Sequence, residues 1–381
     1  MPFFSFSLNN NNPLLKDFNI KPKEVYFSKN TYIWKTLKKE KNDSLLVCKK
    51  EVRKKLLKIN GKVLFCLPPN IGLGDAIEYA KAIKSIKENN ILEDFGIAFT
   101  DNYSFLFKEY FNFKNVFSYI VPEKKIKYYD SLFHFTLEIK SLKNQKYLRS
   151  DIEKEIKNYF NISSEFKNIQ NYFTNNKIYK ISIFPISNSP IRTMPLFILN
   201  SLIDYLGKFF SIDIYVDKKS SISNYIIKGV LKKNVTFVDC ENTKALVDSI
   251  KNIHYGIFMD SGPLHVAKLF NKRGVLIESS VSSELLLSNY NKIFSIKTNF
   301  TSSYCKSPCG LTDIFNYKNA FGCYQTLSIK QDEVIQKNLF SNMGNRGVKN
   351  NYISFIEKPV GCLNSLNIQN ILKHIREDLS L

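Results

Sequence analysis

No apolar run in this sequence is long enough to cross a bilayer. The longest, such as Tyr255 to Met259, fall far short of the roughly 20 residues that a spanning helix needs. The start also lacks a basic leader, an apolar stretch and a small-residue cleavage site. Met1-Pro2-Phe3-Phe4-Ser5-Phe6-Ser7 runs straight into the Asn9–Asn12 tract, so no signal peptide is expected and a cytoplasmic protein is. Arginine clusters interleaved with aromatics are missing too, which argues against a nucleic-acid partner. The nearest stretch, Lys49-Lys50-Glu51-Val52-Arg53-Lys54-Lys55, reads as a solvated helix face. Seven cysteines is an odd number for a chain expected to stay in the cytoplasm, so no disulfide framework is expected.

What is present is ample material for packed interiors. Apolar residues make up 44% and aromatics 14% of 381 residues, too long a chain for one ordinary core, so two domains are expected. Lys and Arg number 55 against 34 Asp and Glu, a net charge of +21. Such a field favours anionic partners, among them phosphorylated substrates and an acidic lipid face. A compositional drift toward Lys, Asn and Ile would produce the same excess.

Residues 1–60 are polar, lysine-rich and weakly periodic, and read as an N-terminal extension. Regular alternation begins at Lys62–Leu67, a short apolar run of the kind found in buried parallel strands. A turn from Pro68 to Gly74 follows. From Asp75 a helical period places Ile77, Ala80, Ile83 and Ile86 on one face, with Lys81, Lys84 and Lys87 opposite. Further strands are expected at Phe95–Phe99, Val116–Val121 and Leu132–Ile139, and a helix over about Asp151 to Phe160. The Asn-rich stretch Asn171–Lys177 reads as a linker. After it strands are expected at Ile181–Phe184, Ile212–Val216, Val235–Val238, Tyr255–Met259, Val275–Ile277 and Ile293–Ile296. Helices alternate with them near Leu196–Leu206, Ile222–Leu231, Thr243–Ile250 and Leu264–Phe270. Two βα series predict an α/β protein of two Rossmann-like domains whose parallel sheets face across a cleft. The expected partition is 1–60 extension, 61–175 first domain, 176–335 second domain, and 336–381 an insertion with a terminal helix. One internal echo stands out: Gly322-Cys323-Tyr324-Gln325-Thr326-Leu327-Ser328-Ile329 against Gly361-Cys362-Leu363-Asn364-Ser365-Leu366-Asn367-Ile368.

Three strand-end loops carry chemistry. In Asp260-Ser261-Gly262-Pro263-Leu264-His265 an apolar strand ends and a helix starts with proline near its first turn. Gly262 admits a close ligand, the open N–H groups favour an anion, and Ser261 and His265 add donors. A plain helix cap by Asp260 or Ser261 is the competing reading. The second loop, Pro185 to Pro195, offers Ser187 and Ser189 and ends in Arg192, whose planar fork suits a diphosphate. The alternative is an ordinary loop with a surface arginine. The third, Asn70-Ile71-Gly72-Leu73-Gly74-Asp75, puts a carboxylate at a helix start. There it could act as a general base or as a cap.

In this order the three loops resemble glycosyltransferase family 9, the lipopolysaccharide heptosyltransferases and their relatives. Ile71-Gly72-Leu73-Gly74-Asp75 looks like that family's N-terminal Ile-Gly-Asp segment, though longer by two residues. Ser189-Pro190-Ile191-Arg192-Thr193-Met194-Pro195 resembles its basic loop, and Asp260 to Ala267 its Asp-Ser/Thr-Gly-x-x-His-x-Ala signature. The resemblance covers about residue 61 to the C-terminus. It implies a GT-B fold, an acceptor on the first domain and a nucleotide-sugar on the second. It also implies inverting transfer of a heptose-like sugar to a cell-envelope glycan or lipopolysaccharide acceptor, without a metal or other cofactor. Asp75 would be the base and Arg192 the stabiliser of the leaving diphosphate. Gly74, Ser187, Ser189 and Asp260 to His265 would bind the donor. Where the family has a Phe-Gly-Pro-Thr turn this chain has Glu278-Ser279-Ser280, so Glu278 is expected to face the nucleoside or to mark a different donor. Peripheral association with the inner-membrane face would follow from the basic charge. A hydrolysing epimerase of the same shape and a non-catalytic nucleotide-binding protein remain as alternatives. Cys305, Cys309, Cys323 and Cys362 read either as separate buried thiols or as four thiolates for a structural zinc.

Overall fold

The computed structural model describes residues 4–8, 14–39, 61–143, 148–163, 169, 178–218, 220–232, 234–314, 318, 320–331 and 350–381. The expected linker at Asn171–Lys177, the lysine run at 49–55 and residues 336–349 lie outside them. The chain divides into two compact units, one of residues 1–143 and 152–166, the other of 144–151 and 167–381.

Unit 1 begins with β1 (Phe4–Phe6), α1 (Leu14–Asp17), β2 (Tyr26–Ser28) and α2 (Thr31–Lys39). These lie in the stretch read as an extension, yet β1 and β2 pair antiparallel and bury Phe4, Phe6, Leu14, Tyr26, Ile33 and Leu37 in a core of their own. Then come β3 (Lys62–Cys66), α3 (Leu73–Glu88), β4 (Asp94–Ala98), β5 (Ile120–Pro122), α4 (Glu123–Tyr128) and β6 (Ser131–His134). Strands β4, β3 and β6 form a parallel sheet in that order, while β5 pairs with β2. The run expected as one strand over 132–139 stops at His134, opposite the last residue of β3, Cys66. With its neighbour's ladder ended, the chain turns into α5 (Phe135–Glu138) and α6 (Lys140–Lys143). Helix α7 (Ile152–Tyr159) packs on α3, its Ile152 N–H donating to Glu78 Oε2 at 3.0 Å. Glu153 lies between Lys81 and Lys157, at 2.6 and 2.9 Å. Despite burial, the two ammonium groups hold its carboxyl below the ordinary range.

Unit 2 follows the expected alternation closely: β7 (Lys180–Phe184), α8 (Leu196–Leu206), β8 (Ser211–Val216), α9 (Ser221–Gly229), β9 (Thr236–Asp239), α10 (Thr243–Lys251), β10 (Tyr255–Phe258), α11 (Gly262–Leu269), β11 (Arg273–Ile277), α12 (Ser283–Leu287) and β12 (Ile293–Ile296). All six strands are parallel, in the order β12-β11-β10-β7-β8-β9. Counted within the unit this is 3-2-1-4-5-6 read from the β9 edge, the dinucleotide-binding order. The direction of strand progression therefore reverses between β7 and β10. Across that seam Phe184 and Phe258 stack, with ring centroids 5.1 Å apart. The four inner strands, β8, β7, β10 and β11, are buried on both faces, which is why they read as nearly continuous apolar runs.

The echo is structural. Helix α13 (Phe321–Thr326) and α15 (Gly361–Asn364) carry the two copies; α14 (Asn350–Glu357) precedes the second and α16 (Ile368–Leu379) follows it. Thr326 Oγ1 donates to the Cys323 carbonyl at 2.7 Å and Ser365 Oγ to the Cys362 carbonyl at 3.1 Å, the same bond at matching positions. Among the described residues no helix is long and apolar enough to cross a membrane.

Candidate functional site

In open parallel sheets a ligand binds beyond the carboxyl ends of the strands, where the strand order reverses. In unit 2 that point lies between β7 and β10, and both sequence-predicted donor loops leave from it.

After β10, Ser261 occupies the N-cap position of α11 with extended backbone, φ −156° and ψ 169°, and makes no side-chain cap. Its hydroxyl donates to the Met259 carbonyl instead, at 3.3 Å. Pro263 sits in the first turn, where its missing N–H costs nothing. The competing reading of Ser261 as an ordinary cap therefore does not describe this helix start. Leu264 and His265 are buried in the same helix.

After β7 the loop closes on itself. The Met194 N–H donates to the Pro185 carbonyl at 2.8 Å, and the Thr193 hydroxyl to the Ser189 carbonyl at 2.9 Å. A short 3-10 turn at Pro190–Arg192 then aims the guanidinium at the other loop. Arg192 Nη1 donates to the Asp260 carbonyl at 3.2 Å and lies 3.1 Å from Asp260 Oδ2. The second contact is an ion pair without hydrogen-bond alignment, since that oxygen has no hydrogen-bond donor among the described residues. Asp260 is only 3% exposed. Its role here is to hold Arg192 at the seam, not to cap the helix.

Two expected ligands are engaged elsewhere. Ser189 is fully buried, and its hydroxyl donates to Asp313 Oδ1 at 2.6 Å. Glu278, expected to face the nucleoside, is 1% exposed and accepts the Ser283 N–H at 2.6 Å at the start of α12. Burial pushes its carboxyl above the ordinary range, against the lowering effect of Ser283. Ser187 is buried, with its backbone N–H on Thr193 Oγ1 at 3.2 Å.

Asp313 is the residue that sequence reasoning missed. It belongs to an irregular stretch with no pattern around it. Burial raises its carboxyl, while Ser189, the Ile314 N–H and Arg192 pull it down. Missed as well are the Ser279 and Ser280 hydroxyls just beyond β11. With Arg192 Nε they are buried and have no hydrogen-bond partner among the described residues. Native interiors leave few such atoms, and a group of them at strand ends calls for a partner.

In unit 1, Gly74 lies buried in the first turn of α3. Asp75 is the third residue of that helix, and its Oδ2 accepts the Gly72 N–H at 3.2 Å. It thus has the cap's geometry, turned back from inside the helix.

Cys323 and Cys362 are buried, and burial raises both thiols, Cys362 to about 12. Cys305 and Cys309 are near enough to add to both shifts. No three His, Cys, Asp or Glu among the described residues are placed to hold a metal, so the zinc expectation finds no formed site.

No family model matches the chain, and no curated protein does. Solved structures do. The glycosyl transferase family 9 protein of Veillonella parvula superposes with a TM-score of 0.53 at 11% identity, over 85% of this chain and 98% of that one. The E. coli ADP-heptose lipopolysaccharide heptosyltransferase II gives 0.47 at 13% identity, over 63% and 91%. The dodecameric iron-containing heptosyltransferase TibC, solved with ADP-D-β-D-heptose, gives 0.47 at 9%, over 99% and 92%. At such identities the likeness is one of fold, and on the first superposition this chain has the fold of a family 9 glycosyl transferase, the family its three loops resemble.

Proposed function

We propose that the chain transfers a sugar from a nucleotide-diphosphate donor to a hydroxyl of a cell-envelope glycan or lipopolysaccharide acceptor. The observation that carries this reading is the seam of unit 2. There an uncapped helix start, a guanidinium with an unpartnered buried Nε, and two unpartnered buried hydroxyls stand at adjacent strand ends. A diphosphate supplies the acceptors these donors lack, and the start of α11 favours its charge. The resemblance of the three loops to the heptosyltransferases makes a heptose-like donor the first to test.

In the proposed reaction Asp75 takes the proton of the attacking hydroxyl as that oxygen bonds to the sugar carbon. The bond from the sugar to the diphosphate breaks on the opposite face, which inverts the centre. Negative charge growing on the leaving group is met by Arg192, held at the seam by Asp260. The basic surface supports a working position near acidic lipid.

The test is a thermal-shift screen with ADP-, GDP-, UDP- and CMP-linked sugars, since a ligand that binds only the folded state raises its melting temperature. One nucleotide class should stand out, and Arg192→Met should abolish its effect. No stabilisation by any of them would overturn the donor-site reading. Release of free sugar without acceptor would point to a hydrolysing epimerase, and tight binding without turnover to a nucleotide-binding protein.

A further inference from the structure

Unit 1 holds a second group of ionisable side chains at the carboxyl ends of its parallel strands. Lys29, the residue after β2, is 5% exposed although it carries an ammonium. Its Nζ lies 2.9 Å from Nδ1 of His134, the last residue of β6, and 5.5 Å from the centre of the Phe99 ring. An ammonium has no lone pair, so Lys29 is the donor and the ring proton of His134 sits on Nε2. Asp101, in the loop after β4, lies within electrostatic range of Lys29. It also accepts the Asn70 N–H at 3.4 Å, from the loop that leads to Asp75. Lys29 is buried, Asp101 and His134 are partly exposed, and Asn70 is exposed.

The backbone marks the same place. Asn70, Phe99 and Asp101 have φ of 57°, 62° and 46°, a left-handed conformation that bulky residues avoid. Strain of this kind gathers at ligand sites, where the surroundings can hold it. Burial pulls the Lys29 ammonium below its usual range, opposed by Cys66 and Asp101. It also lifts the Asp101 carboxyl to about 6. A strap that only fastened the N-terminal segment could use apolar side chains and avoid burying charge.

We propose that Lys29, Asp101 and His134 form a subsite for the hydroxyl groups of a sugar acceptor, with the N-terminal segment supplying its lysine. The chemistry decides the ligand class. The group sets a carboxylate within electrostatic range of the ammonium, which weakens its attraction for a phosphate. It brings donors and a carboxylate acceptor into one group at the strand ends, as a hydroxyl that both gives and takes hydrogen bonds requires. An aromatic ring lies beside them. The subsite rests on the transferase reading for its place in the reaction, but its binding can be tested alone.

The experiment is saturation-transfer NMR on the full chain with methyl α-D-mannoside and methyl β-D-glucoside, run beside an ADP thermal shift. Saturation should reach at least one glycoside in the parent protein. Asp101→Asn and Lys29→Met should each weaken that glycoside by roughly tenfold, the effect of losing one hydrogen bond to a charged group. The ADP shift should stay as in the parent, which also shows that each variant is folded. Should Lys29→Met fail to fold, Asp101→Asn, which keeps the side-chain shape, decides alone. No transfer to either glycoside in the parent, or full binding in Asp101→Asn, overturns the subsite. Loss of the ADP shift in the parent overturns the donor reading and leaves the subsite standing.

Discussion

The junctions after β3 and after β10 follow one plan: an apolar strand, a short turn, an aspartate and a helix. They use the aspartate in opposite ways. Asp75 lies inside its helix, three residues past Gly72, and accepts that residue's N–H from the first turn. Asp260 lies ahead of its helix, is buried, and faces Arg192 across the seam. An offset of a few residues from the first helical turn therefore separates a reachable carboxylate from a buried counter-ion. Under the proposed function the first would take a proton; the second fixes a cation.

The comparison predicts opposite partitions for one substitution. Asp75→Asn should lower turnover by roughly 10³-fold, the middle of the range for removing a general base. It should cost less than about 1 kcal/mol in denaturant unfolding, as the loss of one partly exposed cap contact does. Unchanged turnover would sink the base assignment. Asp260→Asn should instead destabilise unit 2 by about 3 kcal/mol, because it leaves a largely buried guanidinium without its counter-charge. Nucleotide binding should fall with it, as the Arg192 fork loosens. A stable Asp260→Asn with weakened nucleotide binding would mean that the aspartate meets the ligand directly. Ser189→Ala should cost about 1 to 2 kcal/mol by withdrawing the hydroxyl from buried Asp313, with nucleotide affinity almost unchanged. A large loss of affinity would return Ser189 to the ligand.

The smallest effect concerns a third strand-end aspartate. Asp101 has its carboxyl raised to about 6 from 3.8, so the folded state holds its proton more tightly than the unfolded chain. Its contribution to stability is therefore fully present below about pH 4 and lost as pH rises through 6. Asp101→Asn should melt like the parent at pH 4 and slightly higher at pH 8. A melting temperature below the parent at pH 8 would show that the ionised Asp101–Lys29 pair supports the fold.

Much of unit 2 was legible because parallel strands buried on both faces must be apolar throughout, as Ile181–Phe184, Tyr255–Phe258 and Val275–Ile277 are. Arg192 and the turn at Asp260 were legible for a related reason, since loops at the ends of such strands stand out against them. Residues 4–39 were not, because their strands are three residues long and the second of them pairs with a partner about 90 residues away, Ile120–Pro122. The partner of Glu278 was not legible, because an acid near a strand end carries no sign of which way it turns. The N–H of Ser283, five residues on, claimed it.

The sequence by itself determined the alternation of the two βα series and the loops between their elements, because hydrophobic period and turn chemistry are local. Only the tertiary structure decided the partners: Asp260 for Arg192, Asp313 for Ser189, and Lys29 with His134 and Asp101. Each of these contacts joins segments distant in the chain. Burial and charge settle them, and both depend on what the fold brings alongside.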